Sequence, residues 1–449
     1  MKRKIYQQLL DWKNNRKGET AIMIEGARRV GKSYVVEDFA KKEYDSYIII
    51  DFNNIDKETL DIFDQYLPHL DQFFRLLQLK TGVKLVERHS LIVFDEVQLC
   101  PKARAAIKYL VKDHRYDYIE TGSLVSIRKN SKGITIPSEE HTIQMHPMDF
   151  EEFLWAMGDD MLMPYIRECY ETKSPMGILH RKAMEMLQLY MIIGGMPQAV
   201  AKYVETKSFD LTDEVKRDIL TLYRNDIHHY ADADELRVVS IFDSIPGQLQ
   251  KHEKKFRLSA LSPNARMRTY ESAFAWLSEA KIVNFCFNTT EPNIGLKLSE
   301  ERTMLKCYMA DTGLLISHAF DERGIVAEEI YKKLLLGKLE ANKGMLVENL
   351  VAQMLHANGH NLYFFSQYDN SDSENRMEVD FLIAKSKITS RHNISPIEVK
   401  SGKNFALSSL RKCMKKYAPY IATPIVLYDG DLKAEDGITY LPLYMTPLL

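Results

Sequence analysis

Residues 26–33 constrain the fold of this chain more than any other stretch. A short apolar run at 21–24 leads into Gly26, and four residues on Gly31-Lys32-Ser33 opens a helical segment. The pattern is G-x-x-x-x-G-K-S, set between a strand and a helix. Its two glycines let the backbone turn tightly, so that the N–H groups of Gly26, Ala27, Arg28, Arg29, Val30, Gly31, Lys32 and Ser33 converge on a phosphate chain. The positive end of the following helix adds to that field. Lys32 then reaches the terminal phosphates as a point charge, and the Ser33 hydroxyl can ligate Mg²⁺. The stretch reads as a nucleotide site.

The surrounding pattern supplies a fold for it. Apolar, β-rich runs occur at 21–24, 47–51, 91–95, 118–121 and 142–145, with helical stretches such as 34–42 and 103–113 between most of them. Such alternation predicts an α/β domain with a parallel sheet and helices on both faces. Ligands of these sheets sit at the carboxyl ends of the strands, where Gly26, Asp51, Asp95 and Thr121 all fall. The run 91–95 ends in Asp95-Glu96. Asp95 is suited to hold the metal of a Mg²⁺-nucleotide through water, and Glu96 to orient or activate the attacking water. The strand at 47–51 intervenes in the chain and places Asp95 on a strand not adjacent to the loop. Glu96 favours hydrolysis over transfer to a second substrate. Thr121 takes the place of a group that senses the γ-phosphate, with Ser123 as the alternative and a plain turn as the rival reading.

At 449 residues the chain is long enough for about three domains. Sixty Lys and Arg against 62 Asp and Glu leave a net charge of −2, so any nucleic-acid binding has to come from a local basic face. The five cysteines are scattered, with no C-x-x-C zinc spacing, which suits a reducing compartment. The N-terminus lacks the apolar run of a signal peptide, and no window approaches the ~20 apolar residues of a membrane span. A cytoplasmic protein without a membrane partner is expected.

The middle of the chain, about 151 to 325, reads as helical. An apolar stretch at 183–193 runs into Gly194-Gly195-Met196-Pro197, a sharp turn between helices whose role is structural. Neighbouring His228 and His229 point about 100° apart on a helix and read as surface residues, not a metal pair. Residues 235–300 resemble a winged-helix unit, with strands at 282–287 and 295–298 as the wing. Lys251, Lys254, Lys255, Arg257, Arg266 and Arg268 cluster there, either to contact DNA phosphates or as a solvated, packing face.

The tail, about 326 to 449, carries a second constellation. An amphipathic helix at 344–355 holds Glu348 among apolar neighbours, and strands follow at 362–365, 378–383 and 395–400. The period of two sends Glu398 and Lys400 to one face. With Asp380 on the adjacent strand they could form an acidic pair for Mg²⁺, Lys400 orienting water or stabilising charge and Glu348 supporting the metal.

Residues 21–33, Phe94-Asp95-Glu96-Val97-Gln98, Glu120-Thr121-Gly122-Ser123-Leu124 and the stretch 146–154 together resemble the AAA-type P-loop ATPases of bacteria and archaea. The resemblance implies a P-loop ATPase domain at 1–150 that uses ATP and Mg²⁺, a helical and winged-helix region at 151–325, and a C-terminal α/β domain at 326–449. That last domain, through Glu348, Asp380, Glu398 and Lys400, resembles the PD-(D/E)xK restriction-endonuclease-like fold. Two departures stand out: no arginine occurs at 135–140, where many relatives carry a Gly-Arg pair, and the tail has a long insert at 385–393. Arg28, Arg29, Arg104 and Arg128 are the candidates for an arginine finger. Three functions follow: an ATPase that moves DNA-contacting and nuclease-like modules, an ATP-gated DNA nuclease, or a nucleotide-dependent switch. The oligomeric state is open.

Overall fold

A computed structural model describes residues 1–122, 138–251, 254–293, 295–320, 327–335, 343–368, 372–384, 392–402 and 405–449. They fall into two compact units, Met1–His146 with Glu279–Lys281, and Pro147–Ser278 with Ile282–Leu449.

The first unit comprises α1 (Ile5–Arg16), β1 (Ala21–Glu25), α2 (Lys32–Glu43), β2 (Ser46–Asp51), α3 (Lys57–Tyr66), α4 (Leu70–Thr81), β3 (Ser90–Asp95), α5 (Pro101–Asp113), β4 (Asp117–Gly122) and β5 (Glu140–Gln144). The sheet order is β2-β3-β4-β1-β5 with every neighbouring pair parallel. All of β1, β3 and β4 is buried, which is why those strands read as unbroken apolar runs. Asp95 is on a strand not adjacent to β1, as expected, but the spacer is β4. The strand at 47–51, expected to intervene, is the sheet edge. An aromatic cluster secures that edge. Phe52, Phe63 and Phe94 meet edge-to-face at centroid distances of 5.3 to 5.9 Å, and Phe73 extends the contact at 5.2 Å from Phe63. Each such pair adds about 0.5–1.5 kcal/mol beyond its buried area.

The second unit begins with helices α6 (Phe150–Ala156), α7 (Leu162–Thr172), α8 (His180–Ile193), α9 (Pro197–Thr206), α10 (Phe209–Tyr230), α11 (Glu235–Leu249) and α12 (Met267–Glu279). Asp149 and Glu152 close a capping box at the start of α6. Next come β6 (Val283–Thr289), β7 (Glu300–Met309), α13 (Thr312–Ala319), α14 (Ala327–Leu335), α15 (Lys343–Ala357), β8 (Leu362–Gln367), β9 (Met377–Ala384) and β10 (Ile394–Val399). The chain ends with α16 (Ser408–Lys416), β11 (Ile425–Tyr428), β12 (Lys433–Glu435) and β13 (Ile438–Pro442). One eight-stranded sheet runs β12-β13-β11-β10-β9-β8-β6-β7.

That order corrects the expected wing. Residues 296–299 form a 3₁₀ turn, not a strand, and β7 starts at Glu300. Nor is the hairpin free: β6 pairs in parallel with β8 from Cys286↔Leu362 to Asn288↔Phe364. The reason is visible in β7, whose last five residues, Leu305 to Met309, are all buried, on both faces. β7 is the last strand of the sheet, but with both faces covered there it is not a solvent-exposed wing. β6 and β7 thus lie upstream of the boundary expected near 325 and within the same sheet as β8–β13.

The Gly194-Gly195 turn is structural, as expected. Gly194 ends α8 at φ +84°, and a Cβ on Gly195 would lie 2.2 Å from the Met148 carbonyl oxygen. Asp311 accepts the Gly195 N–H and also caps α13 through the Leu314 N–H at 2.9 Å. His228 and His229 are exposed on α10, and His228 pairs with Glu235.

Candidate functional site

The loop between β1 and α2 is built around one close approach. A Cβ on Gly26 would lie 2.3 Å from the Met145 carbonyl oxygen, and the Met145 N–H donates to Glu25 O at 2.7 Å, so that carbonyl cannot retreat. Arg29 at φ +71° and Gly31 at φ +95° turn the chain. Arg28 and Arg29 are exposed, while Ala27 and Val30 are buried. Arg3, from the N-terminus, is buried and donates from Nη1 to Val30 O and from Nη2 to His146 O, both at 2.7 Å. It ties the loop to the end of the β5 segment. Lys32 is buried, and its Nζ donates to Gly26 O at 3.0 Å and Ala27 O at 3.1 Å. Phosphate oxygens arriving in the loop would replace those carbonyls as partners.

The carboxyl ends of β3 and β4 meet the start of α2. Ser33 Oγ donates to Asp95 Oδ1 at 3.0 Å, and the Thr121 hydroxyl donates to the same oxygen. The Glu96 N–H donates to Thr121 Oγ1 at 3.3 Å. Glu96 itself is in the left-handed region at φ +55°, a conformation that costs a side-chain-bearing residue energy and is retained where the surroundings over-determine it. The Gln98 side-chain amide donates to Glu96 Oε2 and aims the carboxylate. A serine hydroxyl facing an aspartate is the donor set that Mg²⁺ takes beside a nucleotide, so Ser33 and Asp95 fit that ion. Thr121 does not match the γ-phosphate-sensing role. Its side chain is fully buried and its hydroxyl serves Asp95, so it fixes the aspartate instead. Ser123 and Arg128 lie outside the described residues.

Arg104 is withdrawn from the arginine-finger candidates. Its Nε and Nη2 grip Glu140 at 3.2 and 3.0 Å, and both side chains are buried. Nearby Glu120 is fully buried with neither carboxylate oxygen hydrogen-bonded, and burial, then the charge of Glu140, pushes its pKa well above the carboxylate range. The folded chain therefore keeps a proton that the unfolded chain releases. Stability falls as pH rises above the unfolded value of about 4.3, by about 1.4 kcal/mol per pH unit until Glu120 ionises. Glu120→Gln removes that slope. Thermal melting across pH should show the variant matching the unaltered chain near pH 4 and exceeding it by a margin that widens as the pH rises, until Glu120 ionises. A gap that does not change with pH would contradict the assignment.

The tail residues also converge, but not on a metal. Asp380 on β9 and Glu398 on β10 sit one step beyond the Phe381↔Ile397 pair, and Asp380 Oδ2 accepts the Val399 N–H at 2.9 Å. Lys400 Nζ donates to Glu398 Oε1 at 3.0 Å, as their shared face predicts. Into this group comes Lys306 from β7, 1% exposed, with Nζ 3.2 Å from Glu348 Oε1, 3.4 Å from Glu378 Oε1 and 3.8 Å from Asp380 Oδ1. Lys254 pairs with Glu348 Oε2, the Tyr308 hydroxyl donates to Glu348 Oε1, and Lys255 reaches Glu378 Oε2 at 3.2 Å. Burial opposes ionisation of Glu348, but Lys306 and Lys254 outweigh it and hold the carboxyl down at about 2. Burial and the charge of Asp380 push Glu398 up to about 8. The second Mg²⁺ implied by the nuclease-like resemblance does not fit this donor set. Both Glu348 oxygens are taken by lysines and a phenol, and among the described residues no three carboxylate, histidine or cysteine groups are arranged to hold a metal. Lys254 and Lys255 are also lost from the expected basic face. Lys251, Arg257, Arg266 and Arg268 remain exposed.

Arg3, Gln98 and Lys306 were not anticipated. Only Lys306 leaves a signal in its neighbourhood, being a lone cation in the apolar run 304–309.

Family profiles match three stretches: an AAA domain at residues 18–154, a domain of unknown function at 184–323 and a second domain of unknown function at 343–445. No curated protein matches the chain. Among solved structures, Drosophila ORC bound to DNA is 13% identical over 71% of this chain and 95% of its own, with a TM-score of 0.28. The Aeropyrum pernix ORC1 protein in complex with DNA is 9% identical over 71% and 91%, with a TM-score of 0.25. Cdc6p from Pyrobaculum aerophilum is 10% identical over 75% and 94%, also with a TM-score of 0.25. At such TM-scores these likenesses carry no argument. The profile and the sheet agree that residues 18–154 are an AAA-type P-loop ATPase domain. No helix among the described residues is long and apolar enough to cross a membrane.

Proposed function

We propose that this protein is an Mg²⁺-dependent ATPase whose nucleotide state is transmitted to its second unit, with duplex DNA as the partner of the exposed cations there. The observation that carries the reading is the shared Asp95 oxygen, which accepts from Ser33 of the loop and from Thr121 of β4, beside a strained and side-chain-anchored Glu96. In this reading residues 26–33 wrap the phosphates with backbone N–H groups, and Lys32 exchanges its two carbonyl partners for phosphate oxygens. Ser33 and Asp95 hold Mg²⁺, which supplies charge neutralisation between the phosphates when bound. Glu96 takes a proton from the attacking water, and Thr121 and Gln98 are positioning residues. Arg28 and Arg29 are the described candidates for contact with the γ-phosphate.

The tail is proposed as a nuclease-like fold used for contacts and not for cleavage, because lysines occupy the oxygens that a metal would need. Lys251, Arg257, Arg266 and Arg268 supply phosphate contacts, so binding should weaken steeply with salt. Lys32→Ala is expected to weaken ATP binding by about 10–100-fold, the range for losing a charge-assisted bond, as measured by calorimetric titration. Steady-state ATPase assays with and without duplex DNA test the whole proposal. Absence of turnover in the unaltered chain under both conditions would leave a non-hydrolysing switch as the better reading.

A further inference from the structure

A cavity of about 550 Å³ opens in the second unit where β6 and β8, which run parallel, both end. Ligands of parallel strands collect at such carboxyl ends. Four aromatic rings line it: Phe365 and Tyr368 from the end of β8, and Tyr417 and Tyr420 from just after α16. Phe365 and Tyr417 meet edge-to-face at 5.3 Å, whereas Tyr368 is 65% exposed and its ring is open to a partner. Two cations stand beside these rings. The Arg376 guanidinium is 4.9 Å from the Tyr368 centroid, and Lys416 Nζ is 5.6 Å from that of Tyr417. The rest of the lining is mostly polar, and among its described residues none is basic and none is Leu, Ile, Val or Met. We propose that this cavity takes one unpaired nucleobase with its phosphate, cytosine in preference to thymine, as a second nucleotide site besides the loop between β1 and α2.

Each group has a part in that ligand. Aromatic rings stack on the face of a base, and Lys416 and Arg376 supply the charge that a phosphate needs. A cationic ligand would have to compete with those two residues for the same rings, and an apolar tail would find no aliphatic wall. The polar groups are set by their own bonds. Gln367 Oε1 accepts from Lys416 Nζ at 2.9 Å and from the Tyr417 hydroxyl at 3.4 Å, which leaves Nε2 as a donor. Glu291 Oε2 accepts from Asn293 Nδ2 at 2.9 Å, which leaves Oε1 as an acceptor. Cytosine offers the complement: its N4 amine suits the carboxylate, and its ring acceptors suit the amide. Thymine presents an O4 acceptor where cytosine has the amine, and so brings the carboxylate no proton. The volume is within the range of about 300–1,000 Å³ usual for small-ligand sites. A paired base cannot enter such a cavity, so the inference stands apart from the duplex contacts proposed for Lys251, Arg257, Arg266 and Arg268, and from the ATPase.

The test is fluorescence anisotropy of a labelled hexadeoxycytidylate with the full chain, competed by unlabelled deoxycytidine monophosphate. Cytosine probes keep clear of the ATP site. The hexamer is expected to bind, and a thymidylate of the same length to bind about tenfold more weakly. Tyr368→Ala should weaken the cytidylate about 5–150-fold, the range for losing one stacked ring. Glu291→Gln, whose amide can donate to thymine O4, should narrow the gap between the two strands. Both side chains are exposed, so both variants should melt as the unaltered chain does. Competition by the monophosphate would make the free nucleotide the ligand, and Tyr368-dependent binding that resists it would make the ligand a base within a single strand. Three results would overturn the proposal: no binding of either cytosine probe, binding that Tyr368→Ala leaves unchanged, or thymidylate bound as tightly as cytidylate. Failure of duplex DNA to bind would count against the duplex reading and leave this one standing.

Discussion

Glu96→Gln binds Mg²⁺-ATP as the unaltered chain does and hydrolyses it about 10²–10⁴-fold more slowly: this is the expected result if Glu96 is the general base. The substitution keeps the side chain's length and shape. Its backbone N–H still donates to Thr121, and the left-handed backbone at φ +55° is unchanged. What disappears is the capacity to accept a proton from water. The Gln98 amide can still donate to the carbonyl oxygen of a glutamine at 96, so the side chain keeps its aim. Binding measured with a fluorescent ATP analogue, alongside phosphate release, separates the two effects. Hydrolysis at the unaltered rate would remove Glu96 from the reaction, and a parallel loss of binding would mean the residue supports the loop instead.

The second large effect concerns stability. Asp213→Ala is expected to cost the second unit about 3–5 kcal/mol, the range for removing one member of a buried charged set. Asp213 is buried and accepts from Arg217 Nε and Ser317 Oγ, each at 2.6 Å, and from the Tyr331 hydroxyl. Burial works against its ionised form, but Lys216 and these donors outweigh it, and its pKa lies below the ordinary range. Lys216 is wholly buried, 4.0 Å from Asp213, and donates to Ile192 O, Gly313 O and the Tyr331 hydroxyl. Burial pushes it down to about 8 against the pull of Asp213 and Asp311. Alanine at 213 would strand that lysine with one carboxylate fewer to offset its burial. Denaturant unfolding followed by Trp155 and Trp276 fluorescence, in a Trp12→Phe background that silences the first unit, reads the loss. A cost below about 1 kcal/mol would mean that the network is replaceable by water.

What could be read from the sequence was what neighbours in the chain decide. The loop motif, the apolar runs of β1 to β5 and the carboxylates at the end of β3 are local patterns, and the structure places them at one end of one sheet. Period-two reasoning likewise placed Lys400 beside Glu398. Destinations of long side chains were not legible. Arg3 reaches Val30 and His146, and Thr121 spends its hydroxyl on Asp95, because folding brings those groups together and no spacing announces it. The expected wing failed for a different reason. Residues 295–298 have strand-like composition, but Gly295 at φ +83° turns the chain, and the hairpin's true partner, β8, lies far downstream. Lys254 and Lys255 looked like a basic surface because their acidic partners belong to the tail.

The position of β6 between β7 and β8 has a consequence for synthesis. The hairpin is made well before Leu362, and at translation rates of about 5–20 residues per second the wait is roughly 3–10 seconds. During that interval β6 presents an open edge, the kind of surface on which nascent chains stick to one another. Lys254, Lys255 and Lys306 have by then been made, and their acids have not. β6 itself, Val283–Thr289, carries no charged side chain, so its edge has no charge of its own to guard it. Glu348, Glu378 and Asp380, the partners of Lys306, are made just before and just after the β8 strand that covers the edge. The interval before β8 is made is therefore the stage at which this edge is open to pairing with another chain.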